Sequence, residues 1–234
     1  MIDALWKRYR AKMRYVKDVE RVLGPIVNDH VAFRTIAWGP YGIHTVARRF
    51  EEKGWRARGV YDFPDKKLTA IHYEKAGAPR VFVSELRAWE LSAPSRRLID
   101  RSFRKHGLFG FKRCWPAPSK TDVLALDKES QYAAWVLLHG YEVNHFTASV
   151  ADIEAAVAKL KAAGVPMKPE IEGAPGSKLR QSSTEAVTLP VRVKEGTLEW
   201  TYAYFELAER HGFDGFLGPQ ASNLFEMTKR RPRT

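Results

Sequence analysis

The stretch VNDHVAFR, residues 27–34, resembles the stretch EVNHFT, residues 142–147, and each contains one histidine, His30 in the first and His145 in the second. Apolar and β-favouring side chains dominate both stretches, which predicts a β-strand at each. A short amphipathic helix, further strands and a strand containing Glu-Leu follow in both cases. An internal repeat of this length indicates a fold built from two similar modules.

The helices of the two copies share one pattern. Each has apolar residues at i, i+3, i+4 and i+7 and a glycine four residues after the last of them, where a helix commonly ends. These residues are Ile43, Val46, Ala47, Phe50 and Gly54 in the first copy and Ile153, Ala156, Val157, Leu160 and Gly164 in the second. Three further strands are predicted in each copy, at 58–61, 68–73 and 80–86 and at 179–183, 186–193 and 198–207. Each copy is therefore predicted to be a βαβββ module.

The rest of the chain is predicted to be mainly helical. An amphipathic helix over 3–22 ends at Gly24-Pro25, and a helix over 220–229 follows a glycine-rich segment. We expect a single domain over residues 1–234. Its predicted parts are a first module at 27–88, a helical insert at 89–140, a second module at 141–210 and a C-terminal lid helix within 211–234.

Composition and charge restrict the class of protein. The chain is 44% hydrophobic and 28% charged, and its single cysteine, Cys114, excludes an internal disulfide. It has no apolar run of about 18 residues and no apolar signal-peptide core, so we predict a cytoplasmic protein with no membrane partner. The net charge of +12 is spread over three segments without a zinc-finger or phosphate-loop motif. It favours an anionic small-molecule substrate and leaves a nucleic-acid-associated binding protein as an alternative.

Paired βαβββ modules are typical of the vicinal-oxygen-chelate architecture, an α+β fold in which a curled mixed sheet surrounds a metal site. The metal ligands of this architecture come from the first and last strands of the modules. At those positions this chain has His30, Glu85, His145 and Glu206. Two histidines and one carboxylate suit non-haem Fe(II) and O₂ chemistry. A fourth ligand, Glu85, would instead suit a glyoxalase-like isomerase or a hydrolase. Both readings remain open on the residues alone.

Arg34 lies on the same strand face as His30 and about 13 Å further along the strand. A guanidinium at that separation predicts a clamp for the far carboxylate of a 2-oxo dicarboxylic acid bound at the metal. The second copy has Ser149 at the corresponding position. Arg180 is a second candidate for substrate binding.

Five motifs of the chain together resemble the DUF1338 family. They are NDHVAFRT at 28–35, VSEL at 83–86, NHFT at 144–147, LRQSS at 179–183 and YFE at 204–206. Characterised members of that family are 2-oxoadipate dioxygenase/decarboxylases. The resemblance implies that His30, His145 and Glu206 bind Fe(II), that Arg34 binds the substrate carboxylate, and that Ser182 joins Arg180 as a substrate-binding candidate.

The family reaction converts 2-oxoadipate to 2-hydroxyglutarate late in lysine degradation, with O₂ consumed and CO₂ released. The chain is shorter than the best-known members of the family. We expect this difference to leave the metal site in place and to affect which substrate is bound.

Overall fold

The computed structural model describes residues 1–105, 107 and 109–218 of the 234. The helices are α1 (Ile2–Lys12), α2 (Val16–Leu23), α3 (Ile43–Glu51), α4 (Ala93–Phe103), α5 (Lys120–Glu129), α6 (Gln131–His139) and α7 (Ile153–Ala162). The strands are β1 (Asn28–Ile36), β2 (Arg56–Phe63), β3 (Leu68–Glu74), β4 (Arg80–Leu86), β5 (Val143–Ser149), β6 (Leu179–Ser183), β7 (Thr188–Val193), β8 (Gly196–Thr201) and β9 (Tyr204–Arg210). Helices and strands together confirm the α+β class.

The chain forms two compact units. The first contains Met1–Val31, Asn144–Val187 and the described residues from Ala203 on, and the second contains Ala32–Val143 and Thr188–Tyr202. The units do not follow the predicted module boundaries, because the beginning of β1 belongs with the second module. There the Ser149 amide donates a hydrogen bond to the carbonyl of Val27.

In the first unit the strands follow the order β1, β5, β9, β6. β9 runs parallel to β5, with Thr147 opposite Glu206, and antiparallel to β6, with Ser183 opposite Glu206. Helix α7 buries the four apolar side chains predicted from the sequence, and Gly164 after it has a φ of 80°. This arrangement brings three neighbouring strands together around Glu206.

In the second unit the strands follow the order β2, β3, β4, β1, and β2, β3 and β4 are antiparallel neighbours. Helix α3 buries Ile43, Val46, Ala47 and Phe50, and the Phe50 ring packs against Phe33 of β1 at a centroid distance of 5.6 Å. The elements β1, α3, β2, β3 and β4 thus occur in the order expected of a βαβββ module. Its local apolar periodicity and its turns are both visible in the sequence.

The second module differs from the prediction in its last strands. β7 and β8 form a hairpin around Lys194-Glu195-Gly196, as predicted, but among the described residues they make up a separate two-stranded sheet. The single strand predicted over 198–207 is two strands, β8 and β9, interrupted at residues 202–203. The physical reason is that this backbone is bonded elsewhere. The Tyr202 carbonyl accepts from the Trp135 indole at 2.6 Å, and the Ala203 carbonyl accepts from the Val187 amide.

The helix predicted over 3–22 is also wrong as a single element. α1 ends at Lys12 and α2 begins at Val16, and the backbone of the fully buried Met13 turns at φ −94° and ψ 88°. The buried residues Leu5, Tyr9, Met13, Val16 and Val19 keep helical spacing across the break. The apolar pattern therefore does not mark where the chain turns.

The insert at 89–140 is helical as predicted, and its three helices begin at serines. Ser92, Ser119 and Ser130 each accept a hydrogen bond from the backbone amide three residues later, which satisfies an otherwise unpaired donor. The proline-rich segment at 115–118 lies between α4 and α5. The helix predicted over 220–229 lies outside the described residues. Over the described ranges, every helix is too short or too polar to cross a membrane.

Candidate metal centre

The structure brings His30, His145 and Glu206 together in the first unit. Each offers one ligand atom, and the three atoms lie within 4.8 Å of one another. They come from β1, β5 and β9, and their exposed fractions are 1%, 6% and 0%. Two imidazoles and one carboxylate at these distances form a donor set suited to a divalent transition metal.

Each imidazole of the cluster is oriented by the residue before it. Nδ1 of His30 lies 2.7 Å from Oδ1 of Asp29, and Nδ1 of His145 lies 3.0 Å from Oδ1 of Asn144. Because both partners are acceptors, we assign the ring proton to Nδ1 in each case, so that Nε2 presents a lone pair. Second partners of this kind fix the rotation of a ligating ring and raise its basicity.

Asp29 is an anion in this setting. Burial favours its neutral acid, but hydrogen bonds and charges from His30 and Arg210 outweigh burial and hold the pKa of Asp29 below its usual range. The two histidines therefore differ in their support, with a carboxylate behind His30 and a neutral amide behind His145.

Glu206 is fully buried and only half satisfied by hydrogen bonds. Its Oε1 accepts from Nε2 of Gln181 at 2.6 Å and from the Thr147 hydroxyl at 3.1 Å. Its Oε2 is buried and has no hydrogen-bond partner among the described residues. An unsatisfied buried carboxylate oxygen is costly. A metal cation between Oε2 and the two imidazoles would remove that cost, so the residues fit a bound metal.

Burial raises the pKa of Glu206 to about 8, although hydrogen bonds from Gln181 and Thr147 oppose the shift. Without metal, the carboxyl is therefore mainly protonated at pH 7. A metal ligand must be deprotonated, so metal binding is linked to loss of this proton.

We expect metal binding at pH 7 to release about one proton from Glu206, and much less than one at pH 9, where the carboxyl is already ionised. Calorimetric titration of the metal-free protein with Co(II), in buffers of different ionisation enthalpy, measures this release. Gln181→Leu removes a donor that lowers the pKa, so release should persist to higher pH in that variant. Equal proton release at pH 7 and pH 9 would contradict the assignment.

Arg34 lies in the second unit and is 3% exposed. Its guanidinium carbon lies 5.0 Å from the ring centroid of Tyr132 and 5.4 Å from that of Trp135, both on α6. The Tyr132 hydroxyl accepts from the Thr35 amide at 3.3 Å and lies 2.8 Å from Oγ of Ser84. Two fixed aromatic rings thus hold the guanidinium in place by cation–π contact.

Glu85, the possible fourth ligand, is not in the three-residue cluster. Its Oε2 accepts a hydrogen bond of 2.8 Å from the amide of Ile43, the first residue of α3. A carboxylate at this place satisfies a free helix amide and interacts favourably with the helix dipole. Its contact in the structure is therefore with a helix of the second unit.

Arg180 and Ser182 are not brought to the cluster either. The Arg180 guanidinium donates to Glu154 at 2.7 Å and lies 3.8 Å from Glu209, and the Ser182 hydroxyl donates to the Glu170 carbonyl at 3.1 Å. Side chains alternate along a strand, so on β6 it is Gln181 that reaches Glu206. The motif at 179–183 therefore contains a residue that contacts Glu206, but that residue is Gln181 and not the predicted Arg180 or Ser182.

Five supporting residues were not predicted from the sequence. For three of them a signal existed: Asp29 and Asn144 occupy the same place before the repeated histidines, and Thr147 follows His145 by two residues and so shares its face. Gln181 and Arg210 carry no such signal, because their contacts depend on strand register and on a distant loop.

The chain matches known proteins over most of its length. Residues 5–110 and 109–226 match the sequence profile of the family described as HGLS, 2-oxoadipate dioxygenase/decarboxylase. The Arabidopsis thaliana protein named 2-oxoadipate dioxygenase/decarboxylase, chloroplastic, is 30% identical over an alignment that covers 86% of this chain and 67% of that protein.

Two solved structures have the same fold. The hydroxyglutarate synthase of Oryza sativa, crystallised in complex with 2-oxoadipate, has a TM-score of 0.86 and 29% identity, over 97% of this chain and 90% of that one. A protein of Ralstonia eutropha JMP134 described as belonging to the glyoxalase superfamily has a TM-score of 0.82 and 24% identity, over 91% and 83%. The latter bears on the fold alone, and together they confirm the vicinal-oxygen-chelate-like fold.

Proposed function

Because the chain belongs to the 2-oxoadipate dioxygenase/decarboxylase family, we propose that it is an Fe(II)-dependent enzyme acting on a 2-oxo dicarboxylic acid. The proposed substrate is 2-oxoadipate and the proposed product is 2-hydroxyglutarate, with one O₂ consumed and one CO₂ released. These species balance in carbon, hydrogen and oxygen without a further co-substrate. The observation that supports the proposal most directly is the buried set of His30, His145 and Glu206.

In this proposal the three side chains hold the iron, which when bound supplies chelation of the 2-oxo acid and activation of O₂. The protein supplies the ionised ligands and a dry, fixed environment. Gln181 and Thr147 hold Oε1 of Glu206, and Asp29 and Asn144 keep the ring protons on Nδ1 of the histidines. Near-complete burial of all three ligands keeps bulk water from competing for the site.

Arg34 is the residue that we propose for the far carboxylate of the substrate. A guanidinium binds a carboxylate through two parallel hydrogen bonds, and one already held between aromatic rings loses little entropy when it does so. Tyr132 and Trp135 provide that support. Arg180 and Ser182 have the partners described above, so the proposal does not depend on them.

The test is O₂ uptake and CO₂ release by protein reconstituted anaerobically with Fe(II). The substrates to compare are 2-oxoglutarate, 2-oxoadipate, 2-oxopimelate and the monocarboxylate 2-oxohexanoate. We expect the highest kcat/KM with 2-oxoadipate and a strong loss with 2-oxohexanoate, which has the same chain length but no far carboxylate. Turnover without metal, or equal turnover of the mono- and dicarboxylate, would contradict the proposal.

The other functions considered have less support. An isomerase or hydrolase with four protein ligands would need Glu85, whose carboxylate instead contacts the Ile43 amide. A role in lysine degradation follows only if 2-oxoadipate is the substrate. The cytoplasmic location stays a prediction, and the Arabidopsis relative is named chloroplastic.

A further inference from the structure

Arg210, the last residue of β9, joins Asp29, the hydrogen-bond partner of His30, to the loop that follows the strand. Its Nε donates to Oδ2 of Asp29 at 2.6 Å and its Nη2 donates to Oδ1 at 3.0 Å. Its Nη1 donates to the carbonyls of Phe213 at 3.1 Å and Gly215 at 2.7 Å. The Arg210 side chain is 10% exposed and that of Asp29 3%. A fork with this many fixed contacts is a rigid connection rather than a surface ion pair.

Arg210 also contacts the ring of Phe216, which packs against the imidazole of His30. Its guanidinium carbon lies 5.1 Å from the ring centroid of Phe216. The Phe216 ring in turn meets the His30 imidazole edge to face, with a centroid distance of 4.8 Å and an angle of 90°. His30 is therefore held at Nδ1 by Asp29 and at its ring by Phe216, and Arg210 contacts both of these residues.

The charges explain why an arginine is suited to this position. A buried carboxylate behind His30 strengthens the ligand but is costly if uncompensated. Arg210 supplies the compensating positive charge. At the second ligand, the neutral Asn144 needs no such partner, and the ring of His145 instead stacks on Tyr204 at 4.7 Å. The pseudo-symmetric site thus has one ligand with ionic support and one without.

We propose that Arg210 is a positioning residue for the metal ligand His30, acting through the Asp29 carboxylate and Phe216. The proposal rests on the metal centre proposed above. It assigns Arg210 no contact with substrate. It predicts that the arginine changes metal affinity and ligand geometry even when no substrate is present.

The test uses metal-free protein titrated with Co(II) alone, which reports affinity by chelator competition and ligand geometry by visible absorption. Asp29→Asn should weaken Co(II) binding about 10- to 100-fold, as loss of an outer partner does elsewhere. Arg210→Met should weaken it about tenfold and shift the absorption bands. Arg210→Lys keeps the charge but loses the fork, so it should fall between Arg210→Met and the wild type.

The double variant Asp29→Asn/Arg210→Met tests whether Arg210 affects Co(II) affinity through Asp29 or by stabilising the fold in general. If Arg210 acts through Asp29, the double variant should bind Co(II) little more weakly than Asp29→Asn alone, because contacting residues are not additive. The control is Arg87→Met, which removes an arginine of the second unit whose side chain is 13% exposed and pairs with Asp62 and Glu90. It should keep the wild-type affinity within about a factor of two.

Wild-type affinity and bands in Arg210→Met would overturn the inference, and Arg210→Lys decides in the same way if Arg210→Met does not fold. Losses that multiply in the double variant would overturn the route through Asp29. Failure of the wild type to bind Co(II), or unchanged binding in His30→Ala, would remove the metal centre itself and the inference with it. Failure of the inference about Arg210 can thus be distinguished from failure of the proposed metal centre.

Discussion

Replacing His30 or His145 by alanine should abolish both metal binding and O₂ consumption with 2-oxoadipate. Each would supply one of the three proposed protein ligands in a cluster that is almost fully buried, where water has little access to take the empty position. The loss of affinity should exceed the 10- to 100-fold typical of an outer partner, because a bond to the metal itself is removed. Metal content after anaerobic reconstitution and O₂ uptake measure the two effects.

His72→Ala is the matched control for these variants. His72 is also a buried histidine, 3% exposed, and its ring nitrogens lie 2.9 Å from the Tyr61 hydroxyl and 2.9 Å from Oε1 of Glu74 in the second unit. Its loss should lower the free energy of unfolding and leave metal content per folded protein unchanged. Full activity in His30→Ala or His145→Ala would exclude the proposed ligand set.

Arg34→Met should raise KM for 2-oxoadipate about 10- to 100-fold while metal content stays at the wild-type level. Methionine keeps an unbranched chain between Tyr132 and Trp135 but removes the charge and the paired donors. Hydrogen bonds between charged groups typically contribute about 1.5–3 kcal/mol, which gives this range.

The monocarboxylate 2-oxohexanoate provides the control within the same enzyme. It lacks the far carboxylate, so wild type and Arg34→Met should turn it over with similar kcat/KM. The wild-type preference for 2-oxoadipate should therefore nearly vanish in the variant. An unchanged KM for 2-oxoadipate would show that Arg34 is not the clamp. Equal losses with both substrates would assign it a structural role instead.

The elements that could be predicted are those whose signal is local. Helices α3 and α7 each bury the four residues that their spacing indicated, and β4 has the predicted bounds. The predictions that were wrong concern elements whose ends depend on contacts with residues distant in sequence. The break at Met13 lies within an unbroken apolar pattern, and the strand predicted over 198–207 stops because Trp135 and Val187 bond its backbone.

The repeat, the α+β class and the candidate ligands His30, His145 and Glu206 could be read from the sequence alone, because the apolar periodicity of α3 and α7 is local and the repeat places one histidine in the first strand of each copy. The partners of these three side chains depend on contacts that form only in the folded chain. The antiparallel register of β6 and β9 brings Gln181 rather than Arg180 to Glu206, and the loop after β9 lets Arg210 reach Asp29. Residues on neighbouring strands meet only once the pairing register of the strands is set, and the sequence pattern of a single strand does not specify that register.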